Sequence, residues 1–395
     1  MKSSSSPVRI GLLGAGIRLR NVVSLLLQES KGTIVIAGVH DPDPLSQRAV
    51  HEKFGSDVRV FDSEEDLMHS DIEWIFIGSP NCHHADQAVS AMRAGKNVFC
   101  EKPLATRFED CLRVRQAEKE TGRIFSFGLV LRYSPFYQRV KQLMAEGAIG
   151  KLISFEFNET LDFNHGGYIF GNWRRNRDRA GTHLLEKCCH DLDLANWITG
   201  ELPLRVASFG GRDVFTEANT GLIERIGRGP EMAIPYSAWP DPHSVSPFSQ
   251  GATIVDNQVA IIQYSGGVRG TFHTNCNAAI LERRFYLCGT EGTLRANAYT
   301  GLIEWRKIGW NTEVEVIDMN ISDSHGGGDI VMARSLEGTL TRGDAPLASA
   351  LDGMLACVAA FGIDAAMDEG EIKDLRPYWS AISETEGLEM AFAKV

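Results

Sequence analysis

Through the first third of the chain, apolar positions fall into two alternating kinds of run. Val8–Leu13, Ile34–Val39, Ile72–Ile77 and Asn97–Cys100 are short and nearly continuous, as strands buried on both faces are. Between them Ile17–Gln28, His84–Arg93 and Phe108–Thr121 space their apolar residues three and four apart, the helical period. Turn chemistry closes the strands at Asp41-Pro42, at Gly78-Ser79-Pro80 and at Glu101-Lys102-Pro103. Strands alternating with helices of this length predict an α/β fold, an N-terminal Rossmann-type doubly wound parallel sheet.

From about residue 150 the period drops to two. Leu152–Leu161, Gln258–Tyr264, Val268–His273 and Arg283–Leu287 alternate apolar and polar residues, with short turns such as Ser265-Gly266-Gly267 between them. This pattern predicts hairpin-connected antiparallel strands. With helices over 181–199 and 346–369, it predicts a C-terminal α+β domain built on an open, mainly antiparallel sheet. One face of such a sheet needs a cover, so a homodimer or homotetramer is expected through it. The expected domains are 1–130 and 131–395. Residues 229–252 stand apart: they hold five of the 14 prolines and little periodicity, as a lid, an oligomer arm or a mobile loop does.

Composition narrows the field. With 40 Lys and Arg against 51 Asp and Glu, the chain of 395 residues carries a net charge of −11 and lacks a long basic run. Nucleic acid and membrane surfaces are therefore not its expected partners. The apolar run after Pro7 is six residues, too short for a secretion signal, and the eight cysteines form no CxxC pair or zinc spacing. A cytoplasmic protein with reduced thiols and no metal is expected.

The first chemistry lies at the end of the first strand, in Gly11-Leu-Leu-Gly14-Ala-Gly16-Ile17-Arg18-Leu19. Glycines there allow a tight bend and close approach of backbone to a pyrophosphate, at a helix N-terminus whose amides favour negative charge. Leu19 stands where a third glycine completes the fingerprint. Asp41 ends the second strand where a carboxylate meets ribose hydroxyls, and no Arg or Lys adjoins it in sequence to receive a 2′-phosphate. NAD is the expected cofactor.

Two further motifs carry a family resemblance. Ser79-Pro80-Asn81-Cys-His-His84, then Glu101-Lys102-Pro103, resemble the Pro-Asn-x-x-His and Glu-Lys-Pro motifs of the Gfo/Idh/MocA oxidoreductases. Gly128 with Arg132-Tyr133-Ser-Pro135, Glu186-x-x-x-His190-x-x-Asp193 and Gly289-Thr-Glu-Gly292 extend the resemblance along the chain. It implies an active site at a domain interface. Cofactor contacts are implied for Gly14, Gly16, Ile17 and Arg18, for Asp41, for Ser79, Pro80, Asn81 and His84, and for Glu101, Lys102 and Arg132. Lys102 and His190 are implied as the catalytic pair.

The residues themselves agree with that reading. Oxidising a carbinol requires a group within hydrogen-bond reach of the O–H as hydride leaves its carbon, and the Lys102 amine is such a group. On a helix, Glu186, His190 and Asp193 share a face, so the Glu186 carboxylate can orient the His190 ring. Trp173-Arg174-Arg175-Asn-Arg177-Asp-Arg179 is the most basic short stretch, and with Lys187 it can recognise an anion by forked hydrogen bonds. Tyr133, His165, Tyr168 and Trp173 add polar and aromatic contacts of the kind sugars favour. His325-Gly-Gly-Gly-Asp329 opens a helix and is a candidate loop to close over substrate.

Three functions stay open at this level. One is an NAD-dependent dehydrogenase of a sugar, polyol or anionic sugar derivative. A second is an NAD-dependent glycosidase that oxidises a ring transiently, eliminates, hydrates and re-reduces, acting on an acidic or sulfonated glycoside. The third is a non-catalytic NAD sensor.

Overall fold

A computed structural model describes residues 6–321 and 325–387. The chain forms two compact units, Met1–Ser134 with Gly327–Leu355, and Pro135–Gly326 with Ala356–Val395. The single boundary at 130/131 expected from the pattern is thus crossed again, because Gly327–Leu355 returns to the first unit. Its helix Gly328–Arg342 is tied there by Arg18–Asp329 at 2.6 Å and Arg334–Glu29 at 2.8 Å. Gly328 lies so close to Val130 that a Cβ would stand 2.6 Å from the Val130 carbonyl oxygen.

The first unit is a parallel sheet of β1 (Val8–Leu13), β2 (Ile34–His40), β3 (Arg59–Val60), β4 (Trp74–Ile77), β5 (Asn97–Cys100) and β6 (Phe125–Phe127), in the order β3-β2-β1-β4-β5-β6. Ile10 of β1 pairs with Ile36 on one side and Trp74 on the other. Ile10, Leu12 and Leu13 are wholly buried, so the continuous apolar run reports burial on both faces. The strand order reverses between β1 and β4, and ligands of such sheets bind beyond the carboxyl ends of the strands at that point.

The second unit carries β7 (Leu152–Asp162), β8 (Pro203–Gly211), β9 (Asn257–Tyr264), β10 (Arg269–Ala278), β11 (Arg284–Gly289), β12 (Gly292–Asn297), β13 (Leu302–Lys307), β14 (Glu315–Asp318) and β15 (Lys373–Asp374). Their order is β14-β13-β12-β11-β7-β10-β9-β8-β15. The hairpin β9–β10 turns at Ser265–Gly267 as the pattern predicts, but β7 and β10 run parallel, Phe157 opposite Phe272. More than a hundred residues separate those strands, including helices and a second pair of strands, and such a crossover permits parallel pairing. The sheet is therefore mixed, mainly antiparallel. Phe157 stacks on Phe285 and meets Phe272 at 4.7 Å, on the face covered by Pro135–Ala145, whose Tyr137 stands edge-on to Phe285.

Among the described residues one helix, Ala350–Glu369, is long and apolar enough to cross a membrane. Its Met354, Cys357, Val358 and Ile363 are core residues, while Asp352 is bonded to Arg132 and Asp364 to Thr182.

Candidate active site

Each expected contact in the first unit can be traced to its local cause. Gly14 adopts a φ of +73°, and a Cβ there would lie 2.4 Å from the Ser79 amide nitrogen, so glycine alone lets the two strand-end turns touch. Gly16 caps the helix Ile17–Ser30, whose first amides take no side-chain cap. A Cβ on Gly16 meets nothing nearer than 3.7 Å, leaving that helix end open to a ligand. The missing third glycine is resolved across the turn: Gly78 after β4 abuts Leu19, where a Cβ on Gly78 would approach the Leu19 Cβ to 2.7 Å. Close packing of helix on strand is kept, with the small residue on the strand side.

Asp41 does two things. Its carboxylate accepts from the Ala15 amide at 2.7 Å and from the Asp43 amide at 2.8 Å, so it fixes the glycine turn at the end of β2, where the sequence places a ribose contact. Arg20, distant from Asp41 in sequence, donates to the Ala15 carbonyl and feels the Asp41 charge. The premise that no cation lies near Asp41 holds along the chain but not in space.

The second and third motifs are joined to this turn. Ser79 Oγ donates to Gln87 at 2.6 Å, Pro80 leads into the short turn Asn81–His83, and Asn81 is buried. The His84 ring nitrogens lie 2.7 Å from the Pro103 carbonyl and 3.0 Å from that of Ser79, so the neutral ring donates to one of the two. Burial lowers its pKa, and the ring acts as a strut between the two loops. Glu101, almost wholly buried, accepts from Arg18 Nε at 3.2 Å, and Arg18 reaches Asp329 on its other side. Asp329, expected on a closing loop of the second domain, is instead a partner of the glycine turn. Lys102, half-buried, follows Glu101 at the carboxyl end of β5. Arg132 is paired with Asp352 at 2.7 Å, and the buried Tyr133 hydroxyl bonds to Ser335 and to backbone at Leu347 and Ala348. Those bonds place Tyr133 in the packing of the first unit.

The expected catalytic helix belongs to the second unit. It opens as a π-helical turn, Leu184–Cys188, and continues as the α-helix Cys189–Thr199. Such widened turns concentrate at functional sites. His190 is 5% exposed, in the first α-helical turn. Glu186, read as the orienter of His190, accepts from Arg174 Nε at 2.9 Å. The guanidinium of Arg174 lies over the rings of Tyr168 at 4.9 Å and Trp173 at 4.5 Å. Arg175 bonds to Ser249 at 2.6 Å and Arg177 to Asp368 at 2.5 Å, so much of the basic stretch is committed inside the protein. Lys187 stands 3.4 Å from Glu159, and His165 packs edge-to-face with Trp239.

A cluster of buried charges lies beneath this helix. Arg283 forks onto Asp191 with two bonds of 2.7 Å and also pairs with Glu159; all three are buried. Burial holds His183 down at a pKa of about 4, its Nε2 3.0 Å from Thr274 Oγ1. The available signal was the alternation itself: Glu159 and Arg283 are charged residues set within strand patterns.

The residues of the first unit fit a dinucleotide: an open helix end, an acid at the ribose position, and a buried Arg18 Nη2 with no acceptor among the described residues. A doubly wound sheet with an open glycine turn at its switch point is of the class that binds dinucleotides. Residues 8–129 match the oxidoreductase family with an NAD-binding Rossmann fold, and residues 137–295 match the GFO/IDH/MocA C-terminal domain. The chain belongs to the Gfo/Idh/MocA oxidoreductase family, and its first domain binds NAD.

Its relatives catalyse different reactions. Inositol 2-dehydrogenase of Rubrobacter xylanophilus is 25% identical over 389 residues, covering 95% of this chain and 96% of that protein. 2,7-Anhydro-N-acetylneuraminate hydratase of Mediterraneibacter gnavus is 28% identical over 188 residues, 47% of this chain and 48% of the hydratase, so that match spans about half of each. The structure of levoglucosan dehydrogenase in complex with NADH and levoglucosan superposes with a TM-score of 0.75 at 19% identity, covering 94% of this chain and all of the other. That likeness is one of fold.

Proposed function

We propose that the protein is an NAD-dependent dehydrogenase of a carbinol carbon in a sugar or polyol, working as a homo-oligomer. Bound nicotinamide supplies the hydride acceptor and donor. In this reading the Lys102 amine takes the carbinol O–H proton on oxidation and returns it on reduction. His190 is the assisting and orienting group in this reading, with Glu186 as a positioning residue for it. The observation that carries the reading is the bond from Arg18 to Glu101, which ties the glycine turn to the residue preceding Lys102 at the edge of one sheet. It fixes the lysine relative to the place where a dinucleotide is held.

The test is NADH formation followed by absorbance over a panel of sugars and polyols. Lys102→Met is expected to lower kcat by a factor of about 10²–10⁴ with NAD affinity kept. A Lys102→Met enzyme as fast as wild type overturns the assignment.

A second reading, transient oxidation followed by elimination, hydration and re-reduction by the NADH just formed, is favoured by the similarity to the hydratase. It predicts substrate consumption that needs catalytic NAD and leaves no NADH behind. An anionic substrate draws little support, because Arg174, Arg175 and Arg177 have partners of their own.

A further inference from the structure

We propose that the proline-rich segment 229–252 is a fixed wall of the substrate site in the second unit, and that Trp239 on it is the stacking platform for a second, uncharged ring attached to the sugar that is oxidised. The proposal rests on the dehydrogenase reading and adds to it a substrate class: a glycoside, with either a sugar or an aryl group as the second ring.

The segment is built in. At the mouth of the excursion the buried Asp256 carboxylate collects the amides of Asp213, Val214 and Phe215 at 3.1, 2.8 and 2.9 Å. Further along, the Val245 amide donates to the Gly171 carbonyl at 2.7 Å, and Ser249 Oγ accepts from Arg175. The helix Phe163–Phe170 is cut to receive it: a Cβ on Gly167 would stand 2.0 Å from the Tyr236 carbonyl oxygen. Tyr236 is held at a φ of +61°, a costly conformation for a bulky residue, while its buried ring packs against Phe163, Phe215 and Phe248. A loop free to wander needs neither the strain nor the glycine opposite it.

Trp239, three residues on, is placed by this anchor. Its ring meets His165 at 5.0 Å and 89° and Tyr168 at 4.8 Å and 77°, two perpendicular contacts that fix its plane. It is nonetheless 44% exposed. A rigid aromatic held from two sides with much of its surface open offers what the C–H face of a sugar or an aryl ring stacks on, at little cost in ordering.

The path from Trp239 to the reacting centre sets which ring it touches. Tyr168 is covered by the Arg174 guanidinium, Arg174 is bonded to Glu186, and Glu186 stands four residues before His190. Trp239 is thus separated from the catalytic helix by two side chains. That spacing suits the neighbour of the oxidised ring. Since the charge of Arg174 is already met by Glu186, the ring bound here carries no charge.

The test pairs methyl and p-nitrophenyl glycosides of glucose, galactose and mannose. Their affinities are measured by calorimetry in the presence of NAD, for wild type, Trp239→Ala and Trp239→Phe. For the sugar bound best, wild type is expected to hold the nitrophenyl glycoside at least tenfold tighter than the methyl one. Trp239→Ala should bring that ratio close to one, and Trp239→Phe should keep most of it, with thermal melting confirming that all three are folded. A wild-type ratio near one, or a ratio unchanged in Trp239→Ala, overturns the subsite. Turnover is scored separately: glycosides that bind with the expected ratio but are never oxidised refute the dehydrogenase and leave the platform standing.

Discussion

At the scale of single residues, the departure of this chain from a full glycine fingerprint has a structural answer. Leu19 occupies the place of the third glycine, and Gly78 supplies the missing space from the facing strand end. The two positions therefore form one packing unit. Gly78→Ala puts a methyl 2.7 Å from the Leu19 Cβ and 3.1 Å from the Gly14 carbonyl oxygen, and displaces the turn that presents the helix amides. It is expected to cost about 1–3 kcal/mol of stability and to weaken NAD binding by an order of magnitude or more. Combining it with Leu19→Gly removes the first clash and returns the small residue to the helix side. The double variant should regain much of the NAD affinity, though with lower stability, because the helix glycine costs about 1 kcal/mol and loss of the buried Leu19 side chain about 2–5 kcal/mol more. Titration of NAD by fluorescence checks both, and a double variant no better than Gly78→Ala shows that the two residues do not act together.

At the scale of elements, burial and pairing decide more than pattern does. The helix Ala350–Glu369 reads as apolar, yet it carries Asp364 into the core, where Thr182 donates to it at 2.5 Å and Gln258 at 3.3 Å. Burial raises the Asp364 pKa from 3.8 to about 7. The folded chain thus keeps a proton that the unfolded chain releases between roughly pH 4 and 7. Stability from this group is complete below about pH 4 and is lost as pH rises through 7. Asp364→Asn, neutral at every pH and with an amide oxygen that can accept from Thr182 as the acid does, is expected to melt within ~1 kcal/mol of wild type at pH 5 and above it at pH 8. Parallel pH profiles for the two proteins would remove Asp364 from the account. The same contrast explains what could be read beforehand. β1, β5 and the helices His84–Arg93 and Phe108–Thr121 match their sequence bounds because local period and turn residues determine them. The parallel pairing of β7 with β10 and the return of Gly327–Leu355 to the first unit depend on residues far apart in the chain. No window of sequence contains them. The lysine and histidine motifs were legible from their companions, but Trp239 was not, because its neighbours are assembled by glycines at 166 and 167 that also suit an ordinary turn.

At the scale of the whole molecule, the exposed face of the nine-stranded sheet bears on the homo-oligomer proposed above. On β8 and β9 the outward row is apolar: Phe209 stands opposite Val259 and Ala207 opposite Ile261, with Phe209 75% and Ile261 67% exposed. Toward β11–β13 the same face carries charges already paired with one another, Arg284 with Glu156 and Arg295 with Glu304. A two-fold contact sets a patch against its own copy, so an apolar patch beside internally neutral charges is self-complementary. The apolar row on β8 and β9 is what a second copy of this chain would cover. Light scattering at micromolar concentration is expected to give a dimer or a multiple of it. Phe209→Asp with Ile261→Asp places like charges opposite one another across the contact and should yield monomers with an unchanged far-ultraviolet spectrum. A monomeric wild type, or an assembly indifferent to both substitutions, excludes this face as the interface. The sheet residues that point the other way, Phe155, Phe157 and Phe272, lie beneath the helices of the same unit. Loss of the assembly should therefore lower the melting temperature before it alters kcat, which separates an interface that supports the sheet from one that completes the active site.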